Sequence, residues 1–342
     1  MRVLLLLGDF GVPALWSLLV SRHRPVYVVH ATAAIAPQTS LGEAVRALVR
    51  PVFWRGVPTP LPRDYRPWTV PEVLETAGVP HRAAEDVDAL TLCKLVMTHA
   101  VELLLSIGYP RILPRCVLEA PPRGGVNVHP SRLPRYRGPS PFFWQIRLGE
   151  VQGGITIHRM TPELDLGPIL RQSEIDISAT ETAGELNVRL ARLAARLVPE
   201  VLDHLEGGAL TEQPQDPTMA SRHRRFRTED SEVEWQASAE DLSRLVRACS
   251  PFPGARASLA EAETVWFWRA VAEPGYIAAQ PGEIVAVRRR SFDVATGSGL
   301  LRVETATSNQ GRRFPTWGRP WPALTSGTKF TPCSAAEDCG AV

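Results

Sequence analysis

The chain contains three residues whose side chains could act together in a chemical reaction: Asn127, His129 and Asp165. Asn127 and His129 are two residues apart in a short apolar segment that is predicted to be a strand, so their side chains project to the same side. An asparagine amide can donate a hydrogen bond to a developing oxyanion, and a histidine can carry a proton. Asp165, from a later loop, could orient that histidine or share its proton. Since this set needs no serine or cysteine nucleophile, it suits direct attack of a nucleophile on a carbonyl carbon.

The segments before and after these residues predict the sheet that positions them. Val3–Leu7 is short, apolar and followed by Gly8, as is typical of a buried parallel strand. A helical pattern from Pro13 to Val20 and a second strand pattern at Val26–His30 follow it. Leu103–Ile107 and Gly125–His129 are predicted to be further buried strands, and Gly154–His158 and Ile169–Gln172 are predicted to continue the sheet. The fold class is therefore predicted to be α/β, with a Rossmann-like, doubly wound and mostly parallel sheet, whose carboxyl edge is where ligands bind. The turn at residues 8–11 is not a GxGxxG sequence, so no dinucleotide fingerprint is present there.

A change of character after residue 208 predicts a second domain. A long helical pattern from Ala183 to Leu205 ends at two glycines, and residues 213–227 are polar and irregular. A further helix is predicted over Ala239–Ala248. Five closely spaced short strands after it indicate a small β-barrel, at Ala255–Leu259, Val265–Ala270, Gly282–Val287, Ser291–Ala295 and Leu300–Val303. We predict a catalytic domain over residues 1–208, a linker over 209–227, a barrel domain over 228–320 and a flexible tail over 321–342.

Composition excludes several classes of protein. The chain has 342 residues, is 44% hydrophobic and has a formal net charge of +2, which excludes wholesale disorder and a strong global attraction to nucleic acid or membranes. Lysine occurs only at Lys94 and Lys329, so nearly all of the basic residues are arginine, which indicates coding bias. Five widely spread cysteines without a CxxC pair argue against a disulfide framework and predict a cytoplasmic protein. The histidines have no metal-ligand spacing, and no apolar run is long enough to span a membrane, so neither a metal nor a membrane partner is expected.

The motif around the candidate residues resembles a known family signature. Residues 127–138 follow the pattern Asn-x-His-x-Ser-x-Leu-Pro-x-x-x-Gly, and residues 164–167 are Leu-Asp-Leu-Gly. Together they resemble the signature of the 10-formyltetrahydrofolate-dependent formyltransferases. Residues 108–114 resemble the folate-pocket loop of that family, and residues 227–254 resemble the start of its OB-like C-terminal domain. The resemblance covers roughly residues 1–30 and 100–305.

This resemblance implies formyl transfer from 10-formyltetrahydrofolate to a primary amine, with Asn127, His129 and Asp165 as the catalytic residues. It implies a set of folate-pocket residues: Arg111, Ile112, Leu113, Pro114, Ser131, Arg132, Leu133, Pro134 and Leu164. Arg132 is a departure, because the family usually has leucine there. It also implies that the barrel is OB-like. We expect a structural role for His158, because it lies in an apolar strand.

Two kinds of acceptor amine are compatible with the resemblance. The initiator-tRNA enzymes typically have a basic loop after the second strand, whereas residues 31–41 contain no lysine or arginine. The segments 106–109, 141–144 and 227–230 are more similar to the enzymes that formylate nucleotide-linked amino sugars or amino-acid side-chain amines, so a small-molecule amine is favoured. Methionyl-tRNA remains the alternative, with the arginines of 222–227 and 288–290 as a candidate contact surface. A formyltetrahydrofolate hydrolase and a catalytically degenerate folate-binding protein are further alternatives.

The proline-rich segment 50–71, which contains Trp54 and Trp68, cannot form a central strand or a long helix. It is interpreted as a surface excursion, either a simple insertion packed on the catalytic domain or a lid over the acceptor site.

Overall fold

The computed structural model describes residues 1–31, 69–259, 263–275, 278–315, 321, 324–331 and 333. Residues 50–68 of the excursion predicted over 50–71, and most of the non-basic segment 31–41, therefore lie outside the described residues. In the catalytic domain the strands are β1 (Val3–Leu7), β2 (Tyr27–His30), β3 (His81–Ala83), β4 (Leu103–Ile107), β5 (Gly125–His129), β6 (Gln152–Arg159) and β7 (Ile169–Asp176). The helices are α1 (Val12–Leu19), α2 (Val70–Ala77), α3 (Ala89–Thr98), α4 (Arg115–Leu118), α5 (Pro141–Arg147) and α6 (Ala183–Glu206).

The catalytic domain is built on one sheet of order β3-β2-β1-β4-β5-β6-β7. Strands β1 to β5 pair in parallel, whereas β6 runs antiparallel to both β5 and β7. All five residues of β1 are buried, as expected for an apolar strand covered on both faces. The predicted α/β fold with a mostly parallel sheet is confirmed, and the reversal at β6 sets the cross-strand neighbours of the site.

The long helix α6 covers one face of this sheet together with α1. It begins at a capping box in which the Thr182 side chain and Glu185 bond each other's backbone N–H groups. Its buried positions, from Leu186 to Leu205, recur at helical spacing. Hence the helix is fixed against the domain along its whole length.

The second domain combines the helix α7 (Ala239–Ala248) with an antiparallel, curled sheet. Its strands are β8 (Ala255–Leu259), β9 (Glu263–Glu273), β10 (Ile284–Val287), β11 (Phe292–Ala295), β12 (Leu300–Ser308), β13 (Arg313–Phe314) and β14 (Phe330–Thr331). Their order in the sheet is β10-β11-β12-β9-β8-β14, and β13 pairs with β12. Buried aromatic rings of Trp235, Phe267, Phe292 and Phe330 pack inside it. The five strands predicted from the sequence are all present, and the small β-domain is confirmed.

Part of the predicted tail belongs to this second domain. Phe330 pairs with Leu259 and is 1% exposed. On the other side of the same segment, the Ile284 N–H donates to the Thr328 carbonyl at 2.8 Å, which connects β10 to the residues before β14. Residues 327–331 therefore close the curled sheet. The prediction of a flexible tail over 321–342 is wrong for this part of the chain.

The predicted linker follows the surface of the catalytic domain. Gln213 exchanges two backbone hydrogen bonds with Ile169 at the start of β7, at 2.7 and 2.9 Å. Further along, Arg137 donates to the Ser221 carbonyl at 3.0 Å and accepts from the His223 N–H at 2.9 Å. These contacts hold the linker beside the loop that follows β5. Within the described residues, no helix is long and apolar enough to cross a membrane.

Candidate active site

The pairing of β5 with β6 brings a second histidine into the site. In that antiparallel register Asn127 is opposite His158, and the Asn127 amide nitrogen lies 3.2 Å from His158 Nε2. His158 Nδ1 donates to the Arg159 carbonyl at 2.7 Å, so in the neutral ring Nε2 has the free lone pair. The Asn127 amide is therefore oriented as a donor towards Nε2. Among the residues that the structure describes, its second N–H has no acceptor and can donate to a ligand.

Burial keeps His158 uncharged. The side chain is 2% exposed, and burial lowers its pKa to about 4, with a further lowering by His129 and an opposing effect of Asp165. A neutral imidazole is therefore present at neutral pH, and it accepts the hydrogen bond from Asn127. The structural role expected for His158 is incomplete, because the ring contacts a predicted catalytic side chain. Cross-strand register was needed to find this contact, since His158 is 31 residues from Asn127.

His129, at the end of β5, is buried and held by one ring nitrogen. Its Nε2 donates to the Tyr136 carbonyl at 2.8 Å, which fixes the proton of the neutral ring on Nε2. Its Nδ1 then faces the Asp165 carboxylate, with 3.7 Å between Nδ1 and Oδ1. Nδ1 is thus the nitrogen that can exchange a proton, and Asp165 is the group beside it.

Asp165 lies in the loop between β6 and β7 and is held in an uncommon backbone conformation. Its φ is +58°, in the left-handed region that residues other than glycine rarely adopt. The carboxylate is buried and accepts the Gly138 N–H at 2.8 Å. Its Oδ1 is also 3.8 Å from His158 Nε2, so the carboxylate lies between the two histidines. Asn127, His129 and Asp165 are thus brought together as the sequence predicted.

This arrangement offers one oxyanion donor and one proton-accepting pair. The Asn127 amide can stabilise negative charge on a carbonyl oxygen, while His129 Nδ1 and the Asp165 carboxylate can take up a proton from an attacking group. All of these polar groups except the Asn127 side chain are nearly fully buried, and burial strengthens their electrostatic interactions. The site is suited to acyl transfer without a covalent enzyme intermediate.

The predicted folate loop after β4 has backbone N–H and C=O groups without hydrogen-bond partners among the described residues, next to an exposed apolar side chain. Ile112 is 72% exposed, and among the described residues the backbone of Ile112 and Leu113 makes no hydrogen bond. Arg111 donates to the Val87 carbonyl at 3.0 Å, which ties the loop to the domain, and Pro114 caps α4. Exposed apolar surface beside unpaired amide groups fits a flat heterocycle with polar edges such as a pterin.

The loop from Ser131 to Pro134 is instead held by the domain itself. Ser131 Oγ donates to the Arg135 carbonyl at 2.7 Å, and Leu133 bonds through its N–H to Thr156 and through its carbonyl to Gln172. Arg132 turns to the edge strands, where it pairs with Glu174 of β7. Leu164 is partly exposed next to Asp165. The predicted folate contacts of this loop remain predictions, and the backbone of Leu133 is already engaged.

Within the described residues, no group of three or more histidine, cysteine or acidic side chains could hold a metal ion.

The fold and the arrangement of the site are those of a group-transfer enzyme, with groups suited to stabilising an oxyanion and moving a proton. Comparison with known families specifies the group. Residues 69–202 match the formyl transferase family, and residues 225–317 match the formyl transferase C-terminal domain. The chain belongs to the formyl transferase family, and it is a one-carbon transferase that uses 10-formyltetrahydrofolate as its cosubstrate.

Curated relatives include methionyl-tRNA formyltransferases. The enzyme of Ralstonia nicotianae is 34% identical over 247 residues, which are 72% of this chain and 73% of that protein. The enzyme of Geobacter metallireducens is 33% identical over 240 residues, which are 70% of this chain and 76% of that protein.

Solved structures of similar fold include proteins crystallised with folate compounds. The N-formyltransferase from Helicobacter canadensis, in complex with folinic acid and dTDP-3-aminofucose, has a TM-score of 0.61 at 15% identity and covers 89% of this chain and 99% of its own. HypX from Aquifex aeolicus, in complex with tetrahydrofolic acid, has a TM-score of 0.54 at 19% identity over 71% of this chain and 42% of its own. At these identities the likeness extends to the fold.

Proposed function

We propose that the chain transfers the formyl group of 10-formyltetrahydrofolate to the primary amine of a small molecule, with Asn127, His129 and Asp165 as the catalytic residues. The observation that supports this most directly is the convergence of the Asn127 amide, His129 Nδ1 and the Asp165 carboxylate in one buried site. Ile112 and Leu113 would bind the heterocycle of the cosubstrate, which supplies the formyl carbon.

Each catalytic residue has a separate task in this proposal. Asn127 donates an amide hydrogen to the formyl oxygen as the amine attacks, because that oxygen gains negative charge. Asp165 and His129 Nδ1 accept the proton that the amine loses when its nitrogen bonds the formyl carbon. His129 then returns a proton to the folate nitrogen as the bond between that nitrogen and the formyl carbon breaks.

Variants of the three residues test this assignment. Asn127→Ala, His129→Ala and Asp165→Ala should each lower kcat by at least about a hundredfold, since one oxyanion donor or acid–base group is typically worth that much. Asn187→Ala, His204→Ala and Asp176→Ala, which lie away from the site, are the matched controls. Binding of the cosubstrate, measured by calorimetry, should persist in all six proteins. A site variant with the turnover of the unaltered protein would contradict the assignment.

Ion pairs within the chain occupy two arginines that could otherwise bind tRNA phosphates, and this favours a small-molecule acceptor. Two arginines of the candidate nucleic-acid surface are engaged by carboxylates of the chain: Arg224 pairs with Asp230 at 2.5 Å, and Arg288 pairs with Asp293. Arg224 also lies over the Trp144 ring, 5.5 Å from its centroid. Side chains held in this way contribute less to phosphate binding than free ones.

Methionyl-tRNA is the second candidate, and the names of the relatives favour it. The two candidates differ in salt dependence. Log affinity for a nucleic acid falls as log salt rises, and each phosphate that the protein contacts makes this slope more negative by about 0.7–0.9. We would assay charged initiator tRNA, dTDP-linked amino sugars and amino-acid amines with 10-formyltetrahydrofolate over a range of salt concentrations. Efficient, strongly salt-sensitive formylation of the tRNA would overturn the small-molecule proposal. Formate release without any amine would identify a hydrolase, and cosubstrate binding without turnover would identify a degenerate binding protein.

A further inference from the structure

Gln215, in the linker after the catalytic domain, contacts the backbone around Asp165. Its amide nitrogen donates to the carbonyl oxygens of Asp165 and Gly167, at 2.8 Å each. Its amide oxygen accepts two hydrogen bonds from the Arg137 guanidinium, at 3.1 and 2.7 Å. Because arginine can only donate, the Arg137 contact fixes which end of the amide faces Asp165.

The backbone that Gln215 holds needs external support. Asp165 has a φ of +58°, which is costly for a residue with a Cβ atom and persists when surrounding contacts impose it. Gly167, two residues later, is packed so closely that a Cβ atom there would lie 1.9 Å from the Arg159 carbonyl oxygen. The two hydrogen bonds from Gln215 act on this short segment and therefore on the direction of the Asp165 side chain.

The linker also holds the other partner of Asp165. Gly138, whose N–H donates to the Asp165 carboxylate, follows Arg137, which exchanges backbone hydrogen bonds with Ser221 and His223 of the linker. Thus one linker fixes the backbone of Asp165 through Gln215 and its carboxylate through the Arg137–Gly138 segment.

We infer that Gln215 is a positioning residue that acts on turnover through Asp165. This inference rests on the catalytic role proposed for Asp165. Displacing a reacting group by about 1 Å can cost about a hundredfold in rate. Loss of the two donors of Gln215 should therefore lower kcat by roughly ten- to a hundredfold, with little change in the KM for 10-formyltetrahydrofolate.

Two substitutions separate positioning from general packing. Gln215→Ala removes every contact of the amide, whereas Gln215→Glu keeps an acceptor for Arg137 and loses the donors to Asp165 and Gly167. Gln213→Ala is the matched control, because Gln213 contacts Ile169 through its backbone. We would measure kcat and KM with hydroxylamine as a generic amine acceptor, together with thermal unfolding. Both Gln215 variants should lose kcat, and Gln213→Ala should not. Full kcat in Gln215→Glu would overturn the inference, since the contact with Arg137 alone would then be sufficient.

A double-mutant cycle tests whether Gln215 acts through Asp165. In Asp165→Asn the carboxylate function is already lost, so adding Gln215→Ala should lower kcat by less than about threefold. A full additional loss in the double variant would overturn the inference. If Asp165→Asn by itself left kcat unchanged, the proposed function of Asp165 would fail, and this outcome differs from a failure confined to Gln215.

Discussion

The lowered pKa of the buried His158 predicts how the free energy of unfolding changes in acid. Its pKa is about 4 in the folded protein and near 6.5 in an unfolded chain, and each unit of difference corresponds to about 1.4 kcal/mol. Between pH 6.5 and 4 the unfolded chain binds a proton at this residue and the folded protein does not. The free energy of unfolding therefore falls as the pH falls through this window, by ~3 kcal/mol in total from this one group. Below about pH 4 both states are protonated and this effect ends.

His158→Gln is the perturbation that isolates this contribution. Glutamine does not titrate, and its amide can still accept from Asn127 and donate to the Arg159 carbonyl. Three groups that face His158, namely His129, Asp165 and Arg137, are present in both proteins, so the substitution removes only the titration of His158 itself. The unaltered protein should lose ~3 kcal/mol more than the variant on acidification from pH 6.5 to 4.

Urea unfolding at closely spaced pH values measures this difference, since the linear extrapolation gives the free energy of unfolding at each pH. The expected result is that the curve of the unaltered protein falls more steeply on acidification from pH 6.5 to 4 than that of the variant, with a slope difference of up to about 1.4 kcal/mol per pH unit. Parallel curves, or a variant that loses more stability in acid than the unaltered protein, would refute the assignment of His158 as a neutral acceptor.

Three further predictions follow from other parts of the molecule. Gly138→Ala should lower kcat by about tenfold or more in steady-state assays, because φ is +116° there and a Cβ atom would lie 2.2 Å from the His223 carbonyl oxygen, next to the N–H that holds Asp165. Phe330→Ala should lower the free energy of unfolding, measured in urea, by about 3–5 kcal/mol. If Phe330 belonged to a flexible tail, the substitution would leave that free energy unchanged. A thiol reagent near pH 8 should modify the exposed Cys116 in the native protein but reach Cys249 only after unfolding, since burial raises the pKa of Cys249 to about 12.

Apolar runs and local chemistry were sufficient to predict most elements. Strands such as Leu103–Ile107 and the helix Ala239–Ala248 have the predicted bounds, because a buried strand or an amphipathic helix is specified by the residues within it. The two-residue strand at Phe330 was missed for the converse reason. It has too few residues for any periodicity, and it is stabilised by pairing with Leu259 and by the aromatic core.

The sequence by itself determined that Asn127 and His129 share one side of a strand, and its motif placed Asp165 with them. The tertiary structure decided which groups hold them: His158 through the antiparallel register of β5 with β6, and Gln215 through the docking of the linker. Hydrogen bonds between residues 31 or 50 positions apart leave no periodic trace in a single chain. They depend on how strands and loops are brought together, and only the packed fold specifies that.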